Sequence, residues 1–105
     1  MGGINAPIPI SNAQLDDLRR IILKTINKNQ VIILSNIPNI PTSITSILRN
    51  ISRRYNVPLS TLRINAQILK GLNLITYGEA SNFSGVELTE LGRFIAELTA
   101  GEEPS

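Results

Sequence analysis

Between Ser43 and Ile75 the chain reads SITSILRNISRRYNVPLSTLRINAQILKGLNLI, and no other stretch limits its fold as closely. Apolar Ile44, Ile47, Leu48, Ile51 and Tyr55 recur at three- and four-residue steps, the spacing of one helix face. Asn56 follows, a residue that tolerates the left-handed backbone ending a helix where Gly is absent. Val57 can plug the corner, Pro58 suits an extended turn, and Ser60 is a good N-cap. The next helix, Thr61 to Lys70, turns Leu62, Ala66 and Leu69 to one side, with Ile68 and Leu72 flanking. Its other side carries Ser60, Arg63, Ile64, Gln67 and Lys70. Two helices joined by a tight turn are expected, the second with a polar, basic outer face. Helix pairs that enter the DNA major groove have this pattern.

The distribution of charge points the same way. From Leu18 to Gly78 there is no acid, while Arg19, Arg20, Lys24, Lys28, Arg49, Arg53, Arg54, Arg63 and Lys70 all fall there. The formal net charge of +2 therefore conceals +9 on the middle block, −2 before it and −5 after it. A block of one sign suits a polyanionic partner. Ordinary solvated faces are the alternative, but these normally mix both signs.

At 105 residues the chain is expected to form one domain with a single core. With aromatics at 4%, aliphatic side chains, Ile above all, must fill that core. There is no Cys and no His, which removes disulfides, Cys or His metal sites and every nucleophile–His pair. Asp16 and Asp17 are not a catalytic carboxylate pair, because adjacent helical residues point apart. No GxxxxGK[ST] or GxGxxG phosphate loop occurs either. No enzyme and no cofactor is expected. No apolar run reaches membrane-span length and the N-terminus lacks a signal peptide's basic start, so a cytoplasmic protein is expected.

Taken in order, residues 1–10 are rich in Gly and Pro and read as a flexible arm. Ser11 caps a first helix, with Gln14 completing a capping box. Asp16 and Asp17 near its start and Lys24 and Lys28 near its end suit the helix dipole. Leu15, Leu18, Ile22 and Ile26 form its apolar stripe, and Ile21 and Leu23 widen it past half the circumference. So wide an arc means a helix either deeply buried or packed on two sides, and in a small domain the second points to a homodimer through helix 1. Val31 to Leu34 is a β-branched run between turn residues and reads as a strand, continued helix being the alternative. Ser35 to Thr42 is a loop, and Thr42 or Ser43 caps the following helix. Beyond Leu72 a strand to Tyr77, an eight-residue tip and a return strand Val86–Leu88 make a hairpin. Thr89 caps a last helix whose Leu91, Phe94, Ile95 and Leu98 share one face, and Gly101 opens a polar tail, 101–105.

This order of elements resembles a winged helix-turn-helix domain over residues 11–100: mainly α with a small antiparallel β-sheet. YNVPLSTLRINAQILKGLNLI resembles that family's turn and reading helix, with Asn73 where Gly is common; VELTELGRFIAEL resembles its LTxxG close. The style is most similar to small archaeal transcriptional regulators. The resemblance implies double-stranded DNA as partner, with contacts at Leu59, Ser60, Arg63, Ile64 and Gln67. Family wings that grip the minor groove carry Arg or Lys, whereas this tip offers Glu79, Ser81, Asn82 and Ser84.

Each candidate has its own chemistry. Arg63 can pair bidentately with guanine, a phosphate contact or plain solvation being its alternative; Gln67 can pair with adenine; and Ile64 can touch a thymine methyl or be an ordinary exposed Ile. Ser60 completes that base-reading set. Arg49, Arg53 and Arg54 lie on the helix that crosses the backbone, where phosphate contact is their natural role, as it is for Lys70. Arg53 or Arg54 could instead pair with the acidic closing helix. The alternative function is a winged-helix module that docks on a protein of a transcription or replication complex, with only non-specific nucleic-acid binding.

Overall fold

Five helices and one short hairpin follow the chain in the computed structural model, which describes residues 11–78 and 85–100. They are α1 (Asn12–Thr25), α2 (Lys28–Ser35), α3 (Ile44–Tyr55), α4 (Leu59–Gly71), β1 (Ile75–Thr76), β2 (Glu87–Leu88) and α5 (Glu90–Thr99). β1 and β2 pair antiparallel, Ile75 opposite Leu88 and Thr76 opposite Glu87. The chain is thus mainly helical with a small antiparallel sheet, the expected α+β class. The N-terminal arm, the hairpin tip with Glu79, Ser81, Asn82 and Ser84, and the polar tail lie outside the described residues. No helix among the described residues is long and apolar enough to cross a membrane.

The capping box expected for α1 is present: Ser11 Oγ accepts from Gln14 N and Gln14 Oε1 accepts from Ser11 N. The helix stops at Thr25, earlier than expected, with Ile26 extended as its C-cap. Val31–Leu34 is not a strand. It lies inside α2, which Asn27 caps by accepting from Gln30 N at 2.8 Å, while Gln30 Oε1 accepts from Asn27 N at 3.2 Å. Lys28 therefore opens α2 and does not close α1. α2 packs on α3, α4 and α5 and buries Ile32, Ile33 and Leu34. A helix enclosed on several sides is apolar all round, so its sequence loses the one-sided period that marks a surface helix.

The core is aliphatic, as the composition requires. Ile33 and Leu34 of α2 meet Ile51 of α3, Leu62 and Leu69 of α4, Ile75 of β1 and Val86 beside β2. Ser43 caps α3 by accepting from Ser46 N at 3.1 Å. Asn56 ends α3 at φ 56°, the left-handed conformation expected of it. Val57 N then donates to Ser52 O, and Ser52 Oγ donates to Val57 O at 2.6 Å, which closes the corner into α4. α4 begins at Leu59 with Pro58 in the N-cap position, so Ser60 lies in the first turn and is not the cap.

α4 ends in a second left-handed residue, Asn73 at φ 63°. Asn73 N donates to Lys70 O and Leu74 N to Leu69 O, the paired bonds of a Schellman close. This turn takes up residues read as the start of a strand, which leaves β1 only two residues long. Thr89 caps α5, accepting from Gly92 N at 2.9 Å and donating to Asn73 O at 2.6 Å. The backbone of Gly92 then lies so close to Leu74 that a Cβ there would overlap the Leu74 carbonyl oxygen. On the other side, Val86 N donates to Thr42 O at 2.9 Å, so the segment read as loop runs beside the returning hairpin strand.

Candidate nucleic-acid interface

The corner between α3 and α4 fixes where the basic side chains stand. On α4 the buried side is Leu62, Asn65, Ala66 and Leu69. Ser60, Arg63, Ile64 and Gln67 are all exposed, as the helical spacing predicts, and Lys70 is half-buried at the far end of the same side. Leu59, also implied by the resemblance, is half-buried against the core. On α3 the buried side is Ile47, Leu48 and Ile51, which leaves Arg49, Arg53 and Arg54 exposed.

These cations are not spent elsewhere. Arg49, Arg53, Arg54 and Arg63 have no carboxylate partner among the described residues, and Arg53 and Arg54 make no ion pair with α5. Arg54 leans the other way, its guanidinium 5.5 Å from the Tyr55 ring centroid and donating weakly to Asn36 Oδ1 at 3.4 Å. Arg19 and Arg20 differ. They pair with Asp16 at 3.6 Å and Asp17 at 3.0 Å, each one turn earlier on α1. The acid-free block is therefore less positive than its sequence suggests: these two arginines are balanced locally, and the excess lies from Lys24 onward.

The depth of α4 is set by amides. Asn65 Oδ1 accepts from Asn27 Nδ2 at 2.9 Å and from Gln30 Nε2 at 3.1 Å, while Asn65 Nδ2 donates to Thr61 O within α4. The same Gln30 closes the cap of α2, so one buried cluster ties the start of α2 to the middle of α4. Buried polar groups satisfied in this way hold one arrangement of two helices against sliding.

One contributor was not singled out from the sequence. Tyr77, just beyond β1, lies under Lys70, whose Nζ is 4.3 Å from the ring centroid. Gln67, Lys70, Gly71 and Tyr77 line one open groove, so the exposed side of α4 runs on to the root of the hairpin. The signal was available: an aromatic residue, rare in this chain, placed where the basic helix hands over to the strand. A second feature is apolar. Ile64, Ile68 and Leu72 are 59%, 43% and 57% exposed at successive four-residue steps along α4.

Chemically, this surface offers donors of two kinds. Guanidinium groups on α3 suit phosphate oxygens, and Arg63 with Gln67 presents side chains able to make paired hydrogen bonds to a base edge. Comparison of the chain with protein families, curated proteins and solved structures finds no match.

Proposed function

We propose that this chain is a winged helix-turn-helix DNA-binding protein, a cytoplasmic transcriptional regulator that reads the major groove with α4. One observation carries the reading. The exposed side of α4, with Ser60, Arg63, Ile64 and Gln67, adjoins the exposed and carboxylate-free Arg49, Arg53 and Arg54 of α3 across a tight corner. In this account α3 crosses the sugar–phosphate backbone while the first turns of α4 enter the groove. Arg63 takes guanine, Gln67 takes adenine one turn later, and Ile64 meets a thymine methyl. Lys70, held over Tyr77, takes a phosphate at the trailing end of the helix.

Titration of labelled duplexes, random and selected, at several salt concentrations tests this. With four cations at phosphates, Arg49, Arg53, Arg54 and Lys70, the logarithm of affinity falls against the logarithm of salt with a slope of about −4. A protein-docking winged-helix module is the second reading, favoured by the exposed Ile64 and Ile68 on α4. Salt-independent affinity, or none at moderate salt, selects that reading over the first.

A further inference from the structure

α4 is packed on α2 largely by side chains without direction. Besides Asn65, α4 buries Leu62, Ala66 and Leu69, and α2 buries Ile32, Ile33 and Leu34. Aliphatic surfaces attract in proportion to area and accept several packings of similar energy. Asn65 is different. Its Oδ1 stands where two donors from the start of α2 converge, Asn27 Nδ2 at 2.9 Å and Gln30 Nε2 at 3.1 Å. Both donors are fixed, because Asn27 and Gln30 close the cap of α2 through each other. The acceptor is fixed too: Asn65 Nδ2 donates to Thr61 O at 2.9 Å, so a flipped amide would lose all three bonds. A slide of one helical turn, about 5.4 Å, sets aliphatic side chains against similar ones but takes Oδ1 out of reach of both donors.

We infer that the Asn27–Gln30–Asn65 cluster positions base recognition: it sets the height and rotation at which α4 presents Arg63 and Gln67, and so which duplexes the chain prefers. Those two side chains lie two residues to either side of Asn65, on the exposed side of the same helix, and move with it. The inference rests on the reading of DNA by α4 and adds positioning residues that act from behind the helix. One polar group in an aliphatic contact suits this task, since it excludes the registers that leave it unpaired. Phosphate contacts tolerate a displaced helix better than base contacts do, so sequence preference is the property the cluster controls.

The test separates position from stability. Replacing both partners of a buried hydrogen bond by apolar groups is nearly neutral, so the double variant Gln30→Leu with Asn65→Leu is expected to stay folded in urea unfolding. Its ratio of selected to random duplex affinity is expected to fall about tenfold or more, as for a lost base contact. Affinity for the random duplex should change by no more than about twofold. Asn65→Asp keeps an acceptor for both donors and should keep the wild-type ratio. A second arm needs no DNA. The chain has no Cys, so Ser35→Cys and Ile68→Cys, both at exposed positions, can carry a nitroxide pair across α2 and α4. Their distance distribution should be single and narrow in the otherwise wild-type chain and in Asn65→Asp, and shifted or broadened in the double variant. Unchanged distances in the double variant overturn the inference, whatever the duplexes do. Changed distances with an unchanged ratio overturn it as well. A wild type without preference for any duplex is a failure of the DNA reading itself, told apart because the label distances still respond to the cluster.

Discussion

Gln30 Nε2 donates to Asn65 Oδ1 at 3.1 Å in the interior, joining the first turn of α2 to the middle of α4. Truncating Asn65 leaves that buried donor without its acceptor, and an unpaired buried donor costs about 1–3 kcal/mol. Asn65→Ala is therefore expected to lower stability by roughly 2 kcal/mol in urea unfolding. Gln30→Ala should cost a similar amount, because it also opens the α2 cap. The double variant should lose clearly less than the two single losses together, as side chains sharing one network do. Strict additivity would mean that the amide cluster is not a unit.

The elements easiest to read from the sequence were those with one apolar side. α3 and α4 each bury a stripe and expose the rest, so period and turn residues agreed, and Asn56 took up the left-handed conformation expected of it. α2 was harder for the opposite reason. Enclosed by three other helices, it shows only a β-branched run, and the sign that identifies it is Asn27 followed three residues later by Gln30, a capping pair. The strand expected from Leu72 shrank because Asn73 turns left-handed and spends three residues on closing α4. The exposed side of α4 was legible through helical spacing alone. Tyr77 was not, since its nearness to Lys70 depends on that turn, and the pairing of Arg19 and Arg20 with the aspartates was hidden by treating the acid-free block as one body.

Gly92 offers a test whose sign is informative. Helix propensity alone favours Ala over Gly by about 1 kcal/mol, so Gly92→Ala would stabilise an unobstructed helix. Here a Cβ would overlap the Leu74 carbonyl oxygen, and backbone at both sides must shift. Overpacking of this kind costs about 1–3 kcal/mol, which outweighs the propensity gain. Thermal unfolding of Gly92→Ala should show a lower midpoint than wild type. A raised midpoint would contradict the close approach of α5 to the α4–β1 turn.

Tyr77 is expected to act on nucleic acid through Lys70. The half-buried ring holds the Lys70 ammonium group in place, a contact worth about 0.5–1 kcal/mol, so Tyr77→Leu should weaken duplex binding modestly and on every sequence. Tyr77→Phe keeps the ring and should bind as wild type. In a Lys70→Ala background Tyr77→Leu should have little further effect. If the two losses simply add, the ring contributes independently of the ammonium group it holds.

The central claim is that α4 distinguishes bases, and Arg63 is where it is tested most directly. The measurement is the ratio of affinities for a selected and a random duplex, in wild type, Arg63→Ala and Arg53→Ala. Loss of a bidentate contact to guanine should cost about 1–3 kcal/mol on the selected sequence and flatten preference at one position. On random DNA the same variant should lose no more than a single phosphate contact. Arg53→Ala should lower both affinities together and leave the ratio unchanged. If Arg63→Ala also lowers both in step, α4 adheres to DNA without reading it, and the account of base recognition is wrong.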